Sequence, residues 1–444
     1  MSSDDELRAC LRLLGQVREA GPAHPAHAEL ERAVDAFYKT GKKQRRLERE
    51  RGRAARDRAR IEATGRVAQT NGGDSPGEYE KGRHCYVCKQ PFRTVDGYHH
   101  WLCPECAATH RLARERRGEL RGRHALVTGG RIKIGFELAR MLLRDGAHVT
   151  LTTRFPRDAA QRFAALPEAH EFGERLSIVG LDLRYLPCVS DFCRSWLERE
   201  RPLDILVNNA AQTVRRPHAY YRALAAAEQL ALEAPSERSQ QLWLRSEHAN
   251  ELTLFHQQCL ADGAEHDAFP LGQFNEESLP LDLRSSNSWR LSLADVDARE
   301  MVEAHLVNAM APFILMGQLR PALERSPFAA RFVINVSAME GKFDYAAKSS
   351  RHPHTNMAKA ALNMLTRTSA SDYAQAGIYV NSVDTGWVTD ENPESTKQRS
   401  RSHGFYPPLD VVDGAARIYA PILDGLAGNP YFGLFLKDFR PTSW

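Results

Sequence analysis

The chain contains 444 residues, of which 42% are hydrophobic, and its formal net charge is +4 at pH 7. This length and apolar content suffice for one large domain with its own core together with smaller pieces. No run of 18 apolar residues occurs, which argues against a membrane-spanning helix, and the first twenty residues alternate charge with leucine, unlike a secretory signal. We therefore expect a cytoplasmic protein with no membrane partner.

Positive charge is concentrated in the first part of the chain. Residues 1–123 contain 26 Lys and Arg against 18 Asp and Glu, whereas the remainder contains 34 against 38. Leucines at helical spacing predict a short helix over residues 4–17. A second helical pattern starts near His27 and continues into an arginine-rich run over residues 39–66.

The arginine-rich run has two interpretations. Such a run is typical of a solvated helix or of a disordered arm, and proteins also use it to bind nucleic-acid phosphates or an acidic protein partner. No aromatic residue is interleaved with the arginines, which argues against a base-stacking platform. Residues 69–77 are rich in Asn, Gly and Ser, so residues 1–78 are predicted to form a basic helical region that ends in a linker.

Four of the eight cysteines form two C-x-x-C pairs, Cys85 with Cys88 and Cys103 with Cys106, separated by fourteen residues. This spacing is typical of a structural zinc site in which each pair supplies two thiolates to a tetrahedron. Reduced structural cysteines or a redox-active pair are the alternatives. Four sulfurs close the coordination shell, so we expect a zinc ion that stabilises a small module over residues 79–122 and catalyses no reaction.

From His124 onward, apolar runs alternate with helical patterns at the spacing of an α/β domain. We predict a Rossmann-type, doubly wound parallel sheet of about seven strands over residues 123–444, preceded by the basic arm and the zinc module. A long insertion over residues 213–292, with helical stretches at 220–233 and 242–262, is expected to form a lid or an interaction element. The predicted strands are 125–128, 148–153, 176–181, 203–208, 332–336, 379–383 and 433–436.

The first of these strands is followed by the sequence Thr-Gly-Gly-Arg-Ile-Lys-Ile-Gly, residues 128–135, and then by an amphipathic helical pattern. A strand, a glycine turn and a helix together form the usual pyrophosphate site of a dinucleotide cofactor. Glycine lets the chain approach the phosphates closely, and the N–H groups at the helix start point at them. The turn therefore predicts a nucleotide-binding crevice at the end of the first strand.

This turn and several later motifs, in the same chain order, resemble those of the short-chain dehydrogenase/reductase family. The later motifs are Asp182-Leu183, Asn208-Asn209-Ala210-Ala211, and the segment from Asn381 to Gly386 with Thr389. The resemblance covers residues 123–444 apart from the insertion. It implies a nicotinamide dinucleotide in contact with the following residues: Thr128, Gly129, Arg131, Lys133, Ile134, Gly135, Arg154, Asp182, Leu183, Asn209, Ala210, Lys359, Gly386 and Thr389.

The turn after the second strand indicates which cofactor binds. In the family, an NAD enzyme places an aspartate there on the adenosine ribose, whereas an NADP enzyme keeps the position neutral and sets arginine against the 2′-phosphate. Here Thr153 stands at that position and Arg154 and Arg157 follow it, while Arg131 and Lys133 of the glycine turn add two more cations. We expect these four positive charges to face one phosphate, so the predicted cofactor is NADP(H).

The resemblance also identifies catalytic positions, two of which depart from the family. Asn308 matches the asparagine of a proton path, and Lys359 matches the lysine that holds the nicotinamide ribose. The proton-donating tyrosine is replaced by Thr355, and the serine position falls on Ala338. Ser337, one residue earlier, takes the serine role if the alignment shifts by one. A threonine hydroxyl is much less acidic than a phenol, so we expect a substitute acid. The candidates on the same segment are Tyr345, Asp344, His352 and His354.

Two functions stay open from the sequence. The first is an NADP(H)-dependent oxidoreductase that acts on a carbonyl, an alcohol or a reducible double bond and uses a non-standard proton donor. The second is a catalytically weak NADP(H) sensor or scaffold that binds a partner through the zinc module and the basic arm. Family members commonly associate through the helices that carry the two retained residues, so a homo-oligomer is also an open expectation.

The start of the insertion supplies candidate contacts for a small-molecule substrate over the nicotinamide. They are Arg215, Arg216, Tyr220 and Tyr221. Two adjacent arginines suggest an anionic substrate, although they could equally pair with acidic residues of the insertion.

Overall fold

The computed structural model describes residues 3–23, 25–233, 249–261, 266–344 and 348–444. The chain divides into two compact units, the first made of residues up to 84 together with 91–100, and the second of residues 85–90 together with 101–444. All four cysteines of the C-x-x-C pairs belong to the second unit. The domain boundaries after residues 78 and 122 stay predictions.

The first unit combines a long helix with a two-stranded sheet. Helix α2 (His27–Glu62) spans 36 residues, and the side chains that it buries are Asp57 and Ile61, near its end. Asp57 accepts the backbone N–H of Glu80 at 2.8 Å and so holds this end of α2 against the sheet. The arginine-rich run is therefore helical as far as Glu62 and largely exposed. The other elements are α1 (Ser3–Ala20), α3 (Gly65–Ala68) and the antiparallel strands β1 (Glu78–His84) and β2 (Pro91–Thr94).

An eight-stranded sheet forms the centre of the second unit. Its strands are β3 (His124–Thr128), β4 (His148–Thr153), β5 (Leu176–Gly180), β6 (Ile205–Asn208), β7 (Arg331–Ser337), β8 (Ile378–Asp384), β9 (Phe435–Lys437) and β10 (Arg440–Thr442). The order across the sheet is β10-β9-β8-β7-β6-β3-β4-β5, and every pair is parallel except β9 with β10. The prediction of about seven strands thus missed β10, whose three residues include Pro441, which an edge strand tolerates.

The strand order fixes where a ligand can bind. From β3 the chain proceeds outward to β4 and β5, and it then returns to the other side of β3 to build β6, β7 and β8. The two crossovers that start at β3 and β6 therefore leave in opposite directions, which opens a crevice at the carboxyl ends of these neighbouring strands.

Helices cover both faces of the sheet. One core contains side chains of α5 (Lys133–Arg144), α6 (Pro156–Ala164) and α15 (Val411–Leu426). The other contains side chains of α8 (Leu186–Glu198), α12 (Ala311–Glu324) and α13 (Pro353–Gln375). Because both faces of the sheet are buried, most of the strand sequences are continuous apolar runs and do not alternate between apolar and polar residues. The remaining helices are α4 (Pro104–Glu115), α7 (Ala169–Phe172), α9 (Arg222–Glu233), α10 (Ala249–Ala261), α11 (Ala298–His305) and α14 (Glu394–Ser402).

The insertion has a small core of its own. Leu224 and Ala225 of α9 and Phe255 of α10 pack together against Phe155, which follows β4. The first part of the predicted helix 242–262 lies outside the described residues, and α10 confirms the rest from Ala249. The two helices therefore pack beside the turn after β4, and the expectation that the insertion shapes a pocket over the nicotinamide stays a prediction. Among the described residues, no helix combines the length and the apolar character needed to cross a bilayer.

Candidate functional site

A cavity of about 440 Å³ occupies the crevice at the carboxyl ends of the strands. It is bounded by the glycine turn, the segments that follow β4, β5, β6, β7 and β8, the start of the insertion, and α13. Most of the predicted site residues line this cavity: Gly129, Arg131, Lys133, Ile134, Gly135, Arg154, Asp182, Leu183, Asn209, Ala210, Ser337, Lys359 and Thr389. Thr128, Asn308, Thr355 and Gly386 are not among its lining residues.

Hydrogen bonds fasten the glycine turn to the end of β6. The Thr128 hydroxyl oxygen accepts the backbone N–H groups of Asn209 and Ala210, each at 3.0 Å. The Asn209 side-chain amide donates to the carbonyl oxygens of Thr128 at 3.0 Å and Gly129 at 3.1 Å. A Cβ at Gly135 would collide with the Gly129 carbonyl, so the first turn of α5 needs glycine there. The unpaired N–H groups at the start of α5 are thereby held at the crevice, where they suit a phosphate.

Lys133 takes the place of a glycine and is held by two carboxylates. Its φ of 55° lies in the left-handed region that glycine adopts without cost. Its Nζ lies 2.7 Å from Glu277 Oε2, in the insertion, and 3.7 Å from Glu391 Oε1, after β8. Burial opposes ionisation of Glu391, yet Lys133 and Arg216 lower the pKa of its carboxyl group to about 2. Lys133 thus connects the glycine turn to two other walls of the cavity.

The other three cations predicted to meet a phosphate are held differently. Arg131 Nη1 lies 2.6 Å from Asp158 Oδ2, and Arg157 donates to the backbone oxygen of Glu228 at 2.7 Å. Arg154 instead donates to the hydroxyl of Tyr221 at 3.0 Å and lies over the ring of that tyrosine, 4.6 Å from its centroid. The expectation of four cations directed at one phosphate therefore needs correction, because carboxylates already pair with Arg131 and Lys133.

Lys359 is buried at the opposite end of the cavity. Its Nζ donates to the Val336 carbonyl oxygen at 2.7 Å. Burial lowers the pKa of its ammonium from 10.5 to about 8, and the charge of Glu340 opposes this shift. The lysine is therefore close to its titration midpoint in mildly alkaline solution.

Asn308 lies in a one-turn π-helix, Leu306–Met310, between α11 and α12. Its side-chain amide donates to Gln212 O at 2.9 Å and to Ala304 O at 2.8 Å, and its Oδ1 accepts the Gln212 N–H at 3.2 Å. Single π-turns often mark functional positions, because the extra residue re-aims a side chain. Here Asn308 fixes the backbone where the insertion leaves β6.

The altered catalytic positions are occupied by other contacts. The Thr355 hydroxyl donates to Thr213 O at 3.4 Å, and the Ser337 hydroxyl donates to Asn363 Oδ1 at 2.6 Å. Ala338 lines the cavity. Tyr345 lies outside the described residues, so its predicted role stays a prediction.

The other proposed acids lie away from the cavity. His352 stacks on Trp289 with ring centroids 4.0 Å apart. Asp344 accepts the hydroxyl of Ser443 at 2.8 Å. The ring nitrogens of His354 have no hydrogen-bond partner among the described residues, and burial lowers its pKa. None of these three residues lines the cavity.

The insertion contributes acidic partners that no sequence motif indicated. Arg215 Nε lies 3.1 Å from Glu303 Oε1, and Arg216 Nε lies 3.0 Å from Asp282 Oδ2. The arginine pair that suggested an anionic substrate is thus already paired with carboxylates. Glu277 and Asp282 lie in an irregular part of the insertion and Glu391 follows β8, far along the chain from both, so their pairing with Lys133 and Arg216 could not be read from spacing.

The four cysteines of the C-x-x-C pairs form a cluster. Their Sγ atoms all lie within 4.8 Å of one another, and Cys88 and Cys103 are 3.7 Å apart. Bonds of about 2.3 Å from a zinc ion to four tetrahedral sulfurs would place those sulfurs about 3.8 Å apart. The Cys103 N–H also donates to Cys85 Sγ at 3.3 Å. The arrangement fits a tetrahedral metal site.

The cysteine cluster is docked on the segment that follows β8. The hydroxyl of Tyr86, between the first two cysteines, accepts the backbone N–H of Trp387 at 2.9 Å. Trp101 packs against Trp387 and Phe405, with ring centroids 6.4 Å and 5.5 Å apart. Since Thr385 and Thr389 line the cavity, this contact joins the cysteine cluster to one wall of the site.

Arg417 of α15 makes a second connection. Its buried guanidinium donates to His110 Nε2 at 3.1 Å and pairs with Asp438. It also lies against Gly386, where any Cβ would collide with it. Gly386, predicted as a cofactor contact, therefore packs against Arg417 and does not itself line the cavity.

Comparison with known proteins identifies the sequence relatives of this chain. A family model described as short chain dehydrogenase matches residues 123–230, and one described as enoyl-(acyl carrier protein) reductase matches residues 286–404. An uncharacterised protein of Acanthamoeba polyphaga mimivirus is 31% identical over 352 residues, which are 77% of this chain and 71% of the viral protein. The residues between the two matches fall within the insertion.

Two further proteins are similar to this chain, one over a shorter stretch of sequence and one in the comparison with solved structures. The peroxisomal 2,4-dienoyl-CoA reductase of Rattus norvegicus is 31% identical over 117 residues, 26% of this chain and 34% of the rat protein. The structure of NADPH-bound carbonyl reductase from chicken fatty liver aligns with 73% of this chain and 100% of its own, at 19% identity and a TM-score of 0.46.

Replacing Lys359 with methionine should change how stability depends on pH. Below about pH 8 the buried ammonium is charged in both the folded and the unfolded protein, and its burial is fully unfavourable. Between about pH 8 and 10.5 the unfolded chain binds more protons at this lysine, so wild-type stability rises relative to Lys359→Met by up to about 3 kcal/mol. Urea unfolding of both proteins from pH 7 to 10 measures this difference, and parallel curves would contradict the shifted pKa.

Proposed function

Because the chain belongs to the short-chain dehydrogenase family, we propose that it is an NADP(H)-dependent oxidoreductase acting on a carbonyl, an alcohol or a reducible double bond. The proposal rests on which of the six basic side chains that line the cavity have a carboxylate partner and which do not. Arg131, Lys133, Arg184 and Arg216 each have a carboxylate within ion-pair distance. Among the described residues, Arg154 and Lys359 form no ion pair.

The two unpaired cations suit the two ends of a phosphorylated nicotinamide coenzyme. Arg154 follows β4, where an NADP enzyme needs a cation for the 2′-phosphate, and the preceding Thr153 is neutral. Tyr221 holds the guanidinium from the insertion side, so the charge is positioned before any ligand arrives. Lys359 lies at the end of β7, where the family resemblance places the nicotinamide ribose. Bound NADPH would supply a hydride, and the protein must supply a proton.

We propose Lys359 itself as the proton donor. Of the titratable lining residues whose pKa is shifted, Lys359 is the one brought near neutrality, whereas the pKa of Glu391 is about 2 and burial raises that of Tyr220 far above neutrality. The hydroxyls of Ser337 and Thr355 are engaged elsewhere and are too weakly acidic. An ammonium with a pKa of about 8 is protonated at pH 7 and releases its proton readily.

A turnover assay tests this function. NADPH oxidation is followed at pH 6–10 with aldehydes, ketones, quinones and conjugated enones, because the enoyl reductase match extends the substrate class to double bonds. We expect kcat/KM to fall as pH rises through about 8, no activity in Lys359→Met, and retained activity in Tyr345→Phe. Loss of activity in Tyr345→Phe would instead identify the phenol as the donor.

The second candidate function is an NADP(H)-responsive sensor or scaffold. It is favoured by the contacts of Ser337 and Thr355, which direct both hydroxyls at other protein groups. Tight NADPH binding without turnover of any compound in the panel would support it over the enzyme, because binding that does not favour the transition state gives affinity alone.

Substituting Arg154 tests the cofactor assignment. Arg154→Ala should weaken NADPH binding by about 1.5–3 kcal/mol, since it removes a charge-assisted contact to the 2′-phosphate, and should leave NADH binding nearly unchanged. The neighbouring Arg157→Ala is the matched control, because Arg157 donates to the Glu228 backbone and does not line the cavity. Calorimetry measures both cofactors, and equal losses for NADPH and NADH in Arg154→Ala would refute the assignment.

We also propose that the cysteine cluster binds one structural zinc ion. With four thiolates the ion would have no open position, so its role would be to fix the segments that carry Tyr86 and Trp101. Purified protein should contain about one zinc per chain by elemental analysis. Cys103→Ser should lose the metal, and Cys10→Ser, which changes an exposed cysteine outside the cluster, should keep it. A folded, metal-free wild-type protein would count against the site.

A further inference from the structure

We propose that an exposed face of α2 binds the phosphodiester backbone of double-stranded nucleic acid. This inference is independent of the oxidoreductase function, since it concerns the first unit alone. Along α2, seven basic residues follow one another at steps of three or four positions, apart from one adjacent pair, and at 3.6 residues per turn these positions lie on one side of a helix. These residues, which we call the basic stripe, are Lys42, Arg45, Arg46, Arg49, Arg53, Arg56 and Arg60.

The stripe is long, exposed and only partly neutralised. It extends over about 27 Å at a rise of about 1.5 Å per residue. Ion pairs involve its members Arg46, Arg56 and Arg60, which meet Glu50, Glu80 and Asp57. In the part of the chain that the structure describes, the other four members, Lys42, Arg45, Arg49 and Arg53, form no ion pair, and all four are exposed.

Neither helix formation nor core packing explains the stripe. Like charges four residues apart, such as Arg45 with Arg49 and Arg49 with Arg53, destabilise an isolated helix. Gly41 and Gly52 lower helix propensity further. The side chains that α2 buries lie at Asp57 and Ile61, beyond the four unpaired cations. A line of cations held on a helix at a cost in stability is typical of a surface that meets a regular array of anions.

The surroundings of the stripe favour nucleic acid over other polyanions. A membrane-binding helix needs an apolar face, but the side opposite the stripe carries Gln44, Arg51 and Arg58. A protein interface needs aromatic or aliphatic anchors. No aromatic residue occurs between residues 39 and 66, and Leu47, an exposed aliphatic residue in this range, lies on the side of α2 away from the stripe. The same absence disfavours single strands, which bind largely by base stacking. A duplex backbone needs cations alone and is bound without sequence preference.

The test uses the full chain and a fluorescent duplex of about 25 base pairs, in DNA and in RNA arms, with fluorescence anisotropy read at 50–200 mM salt. Four phosphate contacts predict a slope of log Kd on log salt of about 3.6. Arg45→Gln/Arg49→Gln removes two unpaired cations and should lower the slope by about 1.8 and weaken binding at least about tenfold at 100 mM salt. Comparison of the DNA duplex with the RNA duplex identifies which of the two the basic stripe binds.

The matched control is Lys43→Gln/Arg51→Gln, which removes the same charge from exposed positions of α2 that lie off the stripe. It should leave the slope nearly unchanged. Equal losses in the two double variants would overturn the stripe in favour of unspecific attraction. So would an absence of duplex binding at 50 mM salt, or tighter binding to single strands or to anionic vesicles than to either duplex. Circular dichroism confirms that both variants keep the helix.

Discussion

The crevice depends on one junction, the hydrogen bonds that join the glycine turn to the end of β6. The Thr128 hydroxyl and the Asn209 amide together make four hydrogen bonds across two strands whose following segments diverge. The junction extends the backbone pairing of β3 with β6 past the last residues of the two strands, to the point where the chain turns into the crevice. The start of α5, the start of the insertion and the end of β7 line the cavity beside it. The unmatched cations Arg154 and Lys359 face one cavity because these elements are held in one place.

Charge balance is the second constraint on the site. Buried cations are costly unless paired, and the cavity lining satisfies this rule for four of its six basic side chains. These ion pairs also hold the segments of the site together, because Lys133 contacts carboxylates from two other segments and Arg216 contacts Asp282 within the insertion. Arg154 and Lys359 have no carboxylate partner among the described residues, so their charges are available to a ligand. A phosphate at Lys133 would have to compete with Glu277 and Glu391.

The sequence predicted the parts of this structure that local patterns determine. Apolar runs located β3 to β9 to within a few residues, the C-x-x-C spacing predicted the sulfur cluster, and the glycine turn predicted the crevice. The sequence did not predict the contact partners that distant, irregular segments supply. The meeting of Lys133 with Glu277, of Arg154 with Tyr221 and of Trp387 with Tyr86 depends on how loops cross the sheet edge. No periodicity or spacing encodes such contacts, and the family resemblance, which excludes the insertion, does not supply them.

The docking of the cysteine cluster has a practical consequence for dissecting the molecule into fragments. Arg114 and Arg116, just after the cluster, pair with Asp410 and Asp424 of the last large helix region at 2.7 Å each, and Arg417 pairs back to His110. A fragment cut at the start of β3 would remove Arg114 and Arg116, the His110 contact of Arg417 and the Tyr86 contact of Trp387. The cysteine cluster and the eight-stranded sheet therefore belong to one unit, and a fragment meant to keep these contacts must begin before Cys85.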